Sequence, residues 1–417
     1  MVSSNSYDVI IAGGGPAGSS AAIELASNGA RVLLVEEKTF PRAKLCGEFI
    51  SPECLTHFRR LGVWDQMTSA GGTALTETVF YSRRGKSVAV PSEWFDSGVT
   101  ALGLSRSEMD RQLLDRAKDA GVVVLEHTHA SGLIRERGSV VGISVRTVSA
   151  VNEYRSLVTI DATGRTRALA RHAGHIDAQV RRGGMERKKK AKPPFVAFKV
   201  HLESARVAEG ACEIYFYSGG YGGLSGVEDG ASNLCFIVSA DDVRRHSSDP
   251  EVVMHEVVMK NARANYTLAN ARARTNWLSV SLESESFGRR TLTPAVGLLT
   301  IGDAAAFIDP FTGSGMLMAL ESGQVAAEIV SRHLPKLRQV GRSELSGLTT
   351  LAADYRTQYS RRFNKRLRLS GLLRRAAFVP RLAETAMLLF GTSARLRRRL
   401  ARATRQSGGR QVRAPVR

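Results

Sequence analysis

Residues 7–37 read YDVIIAGGGPAGSSAAIELASNGARVLLVEE and give the clearest indication of the fold. The apolar run at 7–12 predicts a short strand that is buried on both faces. Small and apolar residues then recur at helical spacing until Asn28-Gly29, where the helix is expected to end. A second apolar run at 31–35 predicts another buried strand. This order of strand, glycine turn, helix and strand predicts a Rossmann-type unit.

Three glycines between the first strand and the helix point to dinucleotide binding. Gly13 permits a tight turn, Gly15 lets the backbone approach a pyrophosphate, and Gly18 allows close packing of helix and strand. The helix N-terminus offers unpaired N–H groups to the phosphates. Glu36 ends the second strand, where it can accept hydrogen bonds from ribose hydroxyls. The residues assigned to this site are Gly13, Gly15, Pro16, Ala17, Gly18, Glu36 and Glu37.

The chain does not continue as a second dinucleotide-binding repeat. Residues 38–55, KTFPRAKLCGEFISPECL, form an irregular stretch with two prolines, and no second Gly-x-Gly-x-x-Gly pattern occurs in the sequence. We therefore expect one dinucleotide to be held permanently by the N-terminal unit. A second dinucleotide would have no such fold of its own.

Charge is distributed unevenly along the 417 residues, which include 59 Lys and Arg against 39 Asp and Glu. Residues 361–417 hold 17 of the basic residues and a single acidic one, Glu384, so the rest of the chain is close to neutral. The four cysteines show no paired metal-ligand spacing. No apolar run approaches the roughly 20 residues that span a bilayer. These features predict a cytoplasmic protein with free thiols and no metal site.

Three segments together resemble the FAD-dependent oxidoreductases of the p-hydroxybenzoate hydroxylase, geranylgeranyl reductase and flavin-dependent halogenase superfamily. They are the glycine turn with its terminal Glu36, DATGR at 161–165, and GDAAAFIDPFTGSGM at 302–316. The resemblance covers roughly residues 7–330. It implies that FAD is the bound dinucleotide.

The resemblance also implies contacts with the flavin half of FAD. A Gly-Asp pair would place the Asp303 carboxylate on the ribityl chain, whose hydroxyls offset the cost of burying it. Pro310 and the turn at 313–315 would lie against the isoalloxazine ring. A helix from Met316 to about Arg332 would point its positive end at the flavin. The residues added to the site are Arg106, Asp161, Gly164, Gly302, Asp303, Gly313, Ser314, Gly315 and Met316.

Two of these assignments carry alternatives. Arg106 begins an amphipathic segment where the family commonly has an Arg near FAD, but a solvated surface position is also open. The hydroxylases have an Asp-Gly pair that also serves NADPH, whereas this chain has Asp-Ala-Thr-Gly from Asp161 to Gly164. Direct contact between Asp161 and NADPH is therefore left unassigned. NAD(P)H is the expected reductant.

Three flavin reactions are open to such a protein: oxygen insertion, hydride transfer to an alkene, and halide oxidation. Halogenases carry Trp-x-Trp-x-Ile-Pro, whereas Trp64, Trp94 and Trp277 lie far apart, which excludes halogenation. We favour a monooxygenase of secondary metabolism that hydroxylates an aromatic or polyketide-like lipophilic substrate. The alternatives are a geranylgeranyl-reductase-like enzyme that saturates an alkene and a non-catalytic FAD-binding protein of the membrane surface.

The candidate catalytic residues are Cys46, Glu48 and Pro310. PRAKLCGEFISPE at 41–53 resembles the reductase branch, in which a Cys-Gly segment lies near the flavin. A buried core thiol is the alternative for Cys46. Glu48 is a candidate acid/base or substrate contact, and surface exposure is its alternative. No nucleophile triad or metal cluster is expected, because the cofactor carries the chemistry.

The predicted architecture is α/β (α+β overall), with a Rossmann-type FAD-binding domain, an inserted antiparallel-sheet substrate domain and a C-terminal helical segment. The FAD-binding domain comprises residues 1–75, 101–182 and 289–332, the substrate domain 76–100 and 183–288, and the basic helical segment 333–417. Strand-like runs joined by glycine turns within 195–282 predict the inserted sheet. Their aromatic content suits a lipophilic substrate, although any β core would share it.

The basic segment from Arg361 onward interleaves apolar and basic residues at helix-compatible spacing. Such a segment can lie on an anionic membrane with its apolar face down, bringing the site near a lipophilic substrate. The alternative is that residues 361–400 pack on the FAD-binding domain as helices. A smaller basic run lies at 187–192. Specific nucleic-acid binding is not expected, because basic charge alone gives non-specific affinity.

Overall fold

A computed structural model describes residues 5–95, 99–173, 194–282, 288–340, 345–377 and 394–403. In chain order, the strands are β1 (Ser6–Ala12), β2 (Val32–Val35), β3 (Phe49–Ile50), β4 (Thr73–Leu75), β5 (Glu77–Tyr81), β6 (Ser87–Pro91), β7 (Ala101–Gly103), β8 (Val123–Leu125), β9 (His129–Glu136), β10 (Ser139–Arg146), β11 (Val151–Asp161), β12 (Phe195–Glu203), β13 (Ala211–Tyr217), β14 (Gly220–Gly226), β15 (Ser232–Ser239), β16 (Arg272–Ala273), β17 (Leu278–Leu282), β18 (Gly288–Arg289), β19 (Leu298–Thr300) and β20 (Ala306–Phe307). The helices are α1 (Pro16–Ser27), α2 (Pro52–Leu61), α3 (Trp64–Ser69), α4 (Arg106–Asp119), α5 (Ala240–Arg245), α6 (Pro250–Glu256), α7 (Ala262–Leu268), α8 (Gly315–Val340), α9 (Leu345–Ala377) and α10 (Ala394–Ala403).

The first large sheet has the order β8-β2-β1-β11-β10-β9, with β19 beside β11. β8, β2, β1, β11 and β19 run parallel, while β10 and β9 extend the sheet by antiparallel pairing. β2 is buried along its whole length and β1 along most of it, which explains their continuous apolar sequences. The predicted Rossmann-type fold class is confirmed.

Helix α8 packs across α1 at a separation that only a glycine allows. A Cβ atom at Gly323 would lie 2.5 Å from a backbone carbonyl oxygen of α1. The helix continues well past the predicted end near Arg332. Leu334 and Leu337 are buried on either side of Pro335, so packing outweighs the backbone hydrogen bond that proline cannot make.

The second large sheet has the order β16-β12-β15-β14-β13-β5-β6, with β17 beside β12. Its strand pairs are antiparallel except for β13 and β5, which run parallel. β5 and β6 come from residues 77–91 and the other strands from 195–282. The sheet is therefore assembled from two separated parts of the chain.

Helix α9 packs along α8. Its Tyr355, Tyr359 and Phe363 side chains are fully buried, and Arg366 donates to the buried Glu321 carboxylate at 2.6 Å. The first part of the basic segment therefore packs on the FAD-binding domain. Residues 378–393 and 404–417, and the basic run at 187–192, lie outside the described residues. Within the described ranges, no helix is long and apolar enough to cross a membrane.

Candidate active site

A cavity of about 720 Å³ is lined by residues of both large sheets and their connecting turns. The sequence-predicted residues in its wall are Gly13, Gly15, Pro16, Ala17, Glu36, Glu37, Cys46, Glu48, Arg106, Gly164, Gly302, Asp303, Pro310, Gly313, Gly315 and Met316. Gly18, Asp161 and Ser314 lie behind this wall. The Asp161 carboxylate accepts hydrogen bonds from the backbone N–H groups of Thr163 (3.0 Å) and Ala170 (2.8 Å), so it fixes its own turn.

The turn between β1 and α1 is packed closely against its neighbours. Gly13 has a φ of +106°, and a Cβ atom there would lie 2.5 Å from the Ala162 carbonyl oxygen. A Cβ atom at Gly18 would lie 1.9 Å from the Gly13 carbonyl oxygen. No described side chain caps the first turn of α1, which begins at Pro16. Its first N–H groups are therefore available to a phosphate.

Two guanidinium groups face this turn. Nη2 of Arg42 and Nη2 of Arg106 would each lie 3.8 Å from a Cβ atom at Gly15. Both side chains bind buried Asp110, Arg106 through two hydrogen bonds of 2.8 Å and Arg42 at 3.2 Å. Burial opposes the charge of Arg106, but Asp110 outweighs it and holds the Arg106 pKa above its ordinary value. Two fixed cations beside a helix N-terminus suit a pyrophosphate.

Glu36 lies at the end of β2 and lines the same part of the cavity. Its carboxylate accepts hydrogen bonds from the backbone N–H groups of Gly14 (2.7 Å) and Lys38 (3.0 Å). These bonds hold the side chain while leaving acceptor capacity on both oxygens. The arrangement fits a ribose beside the pyrophosphate. Glu37 is more exposed and lies 3.8 Å from a His129 ring nitrogen.

Asp303 lines the cavity from the turn that follows β19. Burial raises the pKa of Asp303, although Arg165, Arg106 and Lys44 act in the opposite direction. In the described part of the chain, no hydrogen bond or ion pair reaches this carboxylate. A ligand that donates hydroxyl groups would satisfy it, as the ribityl chain of FAD would.

The turn from Pro310 to Gly315 is held from the second sheet. Asp309 accepts hydrogen bonds from the Phe311 backbone N–H (2.9 Å) and the Tyr221 hydroxyl (2.6 Å). Gly313 has a φ of +59°, and α8 starts at Gly315, one residue earlier than predicted. Pro310, Gly313 and Gly315 thus line the cavity beside the start of α8. The start of α8 can favour negative charge on a bound group.

Cys46 is half-buried in the cavity wall. Its Sγ accepts a hydrogen bond from the Glu48 backbone N–H at 3.4 Å and interacts with the Arg106 side chain. The thiol therefore lies beside one of the two arginines that face the glycine turn. The Cys46 side chain is therefore only partly buried, whereas a core thiol would be wholly buried.

Glu48 is fully buried rather than exposed. Its carboxylate accepts hydrogen bonds from Lys199 Nζ (2.6 Å) and the Arg106 backbone N–H (2.8 Å), and lies 2.6 Å from His201 Nε2. Burial raises the Glu48 pKa, but the His201 hydrogen bond and the Lys199 charge bring it below its ordinary value. These contacts join α4 to β12. They favour a structural role for Glu48 over the predicted acid/base role.

The part of the cavity beneath the second sheet is apolar and aromatic. Phe311 lies 5.9 Å from Phe80, 5.7 Å from Phe216 and 5.4 Å from Tyr221, measured between ring centres. All four rings line the cavity. Because Phe311 follows Pro310, this lipophilic region begins at the turn predicted to lie against the flavin.

Sequence reasoning missed Arg42, Lys44 and Arg165 in the cavity wall and Lys199 and His201 behind it. Arg42 and Lys44 flank Ala43 in the PRAKLC segment, so their basic character was a usable signal. Lys199 and His201 alternate with apolar residues in β12, which places both on one face of the strand. Their shared partner, Glu48, could be found only from the fold.

The uncapped helix, the paired arginines and Asp303 together suit the two ends of one dinucleotide, which is the arrangement that an FAD-binding oxidoreductase requires. Residues 6–328 match the FAD binding domain family, and the chain belongs to that family. It is an FAD-dependent enzyme. Flavin enzymes of this superfamily catalyse several reactions, so the family alone leaves the reaction open.

Two curated relatives are reductases. Digeranylgeranylglycerophospholipid reductase 2 of Methanopyrus kandleri is 27% identical over 331 residues, which cover 78% of this chain and 77% of that protein. Digeranylgeranylglycerophospholipid reductase of Methanosarcina acetivorans is 28% identical over 328 residues, 77% of this chain and 74% of that protein.

Two solved structures share the fold. The flavin-dependent brominase Bmp2 has a TM-score of 0.74 and 21% identity, covering 95% of this chain and 94% of its own. A geranylgeranyl bacteriochlorophyll reductase-like protein from Thermoplasma acidophilum has a TM-score of 0.69 and 20% identity, covering 96% and 92%. At these identities the likeness establishes the fold alone.

Proposed function

We propose that the enzyme uses FAD to saturate carbon–carbon double bonds in an isoprenoid-like lipophilic chain. The observation that carries this proposal is the similarity to digeranylgeranylglycerophospholipid reductases over three quarters of the chain. The aromatic cavity region beside the Pro310 turn supports it. The sequence-based preference for hydroxylation rested on the breadth of the superfamily rather than on any residue, so the alternative of alkene reduction now takes its place.

In this proposal different parts of the cavity wall bind different parts of FAD. Glu36 would hold the adenosine ribose, Arg42 and Arg106 the pyrophosphate, and Asp303 the ribityl hydroxyls. Pro310 and the start of α8 would adjoin the ring. Reduced FAD, when bound, would supply a hydride equivalent to one carbon of the double bond, and a proton delivered to the other carbon would complete the saturation.

The protein must also deliver a proton and keep the chain in place. We assign the proton to Cys46 Sγ, which lies in the cavity wall within the Cys-Gly segment predicted to lie near the flavin. The aromatic side chains Phe80, Phe216 and Phe311 would pack against the chain and exclude water from the reacting carbon atoms. Glu48 would keep the Cys46 segment and α4 in register with β12.

Two further assignments belong to the same proposal. NAD(P)H, or a separate reductase, would reduce the flavin before each turnover. Peripheral contact with anionic membrane would bring lipophilic substrate to the cavity, with the exposed arginines of α10 facing the headgroups. Both expectations derive from the cofactor chemistry and from the charge of the chain.

A single-turnover experiment tests the reaction without knowledge of the natural reductant. FAD-loaded protein is reduced with dithionite under argon and mixed with a geranylgeranyl-chain phospholipid, and flavin absorbance is followed. We expect reoxidation of the flavin together with a gain of two hydrogen atoms per reduced bond by mass spectrometry. Flavin that stays reduced until oxygen is admitted would contradict alkene reduction.

A further inference from the structure

Helix α10 brings a strongly basic surface to one end of the cavity. It packs against β6, the edge strand of the second sheet, and against the turn at 92–94. Arg402 Nε donates a hydrogen bond to the Trp94 carbonyl oxygen at 3.0 Å. The guanidinium carbon of Arg397 lies 6.0 Å from the centre of the Trp94 ring. We call this region, where Val88 and Phe95 form the wall, the β6 end of the cavity.

Arg397 lines the β6 end and is half-buried, whereas Arg398 and Arg399 on the same helix are exposed. An apolar path connects this end to the turn from Pro310 to Gly315. Val88 of β6 pairs directly with Phe80 of β5, and the Phe80 ring lies 5.9 Å from that of Phe311. This part of the cavity therefore has a cation at one end, an apolar wall along its length and the turn from Pro310 to Gly315 at the other end.

We propose that Arg397 binds the anionic headgroup, a phosphate or a carboxylate, of an amphipathic substrate whose apolar chain extends towards the flavin. This inference rests on the proposed function, since it takes the chain to be the part that is reduced. A guanidinium group matches phosphate and carboxylate oxygens through paired hydrogen bonds. The exposed arginines of α10 add a positive field that favours anions at this end.

The requirement for an anionic headgroup can be tested with two ligands that share the same isoprenoid chain and differ only in the headgroup. Calorimetric titration of FAD-loaded, full-length protein would compare geranylgeranyl phosphate with geranylgeraniol. We expect the phosphate to bind roughly 10-fold more tightly or better, the effect of a charge-assisted hydrogen bond. In Arg397→Gln this preference should vanish while affinity for the alcohol is unchanged. Arg397→Lys should retain part of it.

Arg398→Gln is the matched control, because it removes an exposed charge from the same helix and should alter the preference by less than about threefold. Equal weakening of both ligands by Arg397→Gln would overturn the inference and assign Arg397 to packing. Wild-type protein that binds both ligands equally would also overturn it while leaving the proposed function intact. If neither ligand binds, the proposed function fails as well.

Inorganic phosphate separates a headgroup subsite from a general anion site. We expect it to displace geranylgeranyl phosphate only at concentrations far above that of the ligand, because the apolar chain supplies most of the affinity. Displacement by phosphate at equal concentration would show that the anion alone is recognised. That result would overturn the proposal of an amphipathic substrate.

Discussion

Replacing Glu48 by glutamine is expected to destabilise the fold by about 3–5 kcal/mol, the usual cost of breaking a buried ion pair. The Glu48 carboxylate is inaccessible to solvent, and its partner Lys199 is 3% exposed. Glutamine retains an oxygen that can accept from the Arg106 backbone N–H, but it removes the negative charge. The Lys199 ammonium would then be buried without a counter-charge, which is the main source of the loss.

Chemical unfolding monitored by circular dichroism, with linear extrapolation to water, measures this loss. Glu108→Gln is the control, because Glu108 forms a surface pair with Arg111 that should contribute about 0–1 kcal/mol. Glu48→Gln combined with Lys199→Met should recover part of the stability, since it removes the buried cation as well. A loss below about 1 kcal/mol for Glu48→Gln, or no recovery in the double variant, would refute this reasoning.

The same pair predicts a pH dependence. Burial raises the Glu48 pKa, but the His201 hydrogen bond and the Lys199 charge lower it more, so the folded-state pKa lies below the ordinary value. Its contribution to stability is therefore complete above the ordinary carboxyl pKa and is lost as pH falls through the folded-state pKa. The stability difference between wild type and Glu48→Gln should shrink on acidification. A difference that stays constant or grows would contradict the assignment.

Three other predictions concern the cofactor, the thiol and the tail. Asp303→Ala should weaken FAD binding roughly 10- to 100-fold by fluorescence titration with the fold intact, because the carboxylate serves the ligand; wild-type affinity would contradict this. Cys46→Ser should leave FAD affinity unchanged and slow alkene turnover, and an unchanged rate would make Cys46 a structural thiol. Full-length protein should co-sediment with anionic liposomes at low salt, and a variant ending at Ala403 should bind more weakly; no sedimentation of the full chain would exclude membrane contact.

The cofactor-binding parts of the fold could be predicted because their signals are local. The turn from Gly13 to Gly18 and the Gly302-Asp303 pair each occupy a few consecutive residues between a buried strand and a helix. Glycine is required where a Cβ atom would meet backbone, as at Gly18. Such requirements leave a pattern that sequence reasoning can recognise.

The substrate part of the site depends on contacts between residues far apart in the chain. Glu48 meets Lys199 and His201 only when β12 is placed beside the Cys46 segment. Arg397 reaches the cavity only when α10 packs on β6. The interpretation of Glu48 as an exposed or acid/base residue followed from its irregular neighbourhood in sequence, which gave no sign of buried basic partners.

The source of the atoms added to the product distinguishes alkene reduction from oxygen insertion. FAD-loaded enzyme, its reductant and a geranylgeranyl-chain phospholipid are incubated under isotopically labelled dioxygen, and the product is analysed by mass spectrometry. We predict a product that gains two hydrogen atoms per reduced double bond and carries no labelled oxygen. A product that incorporates labelled oxygen and retains its double bonds would contradict it.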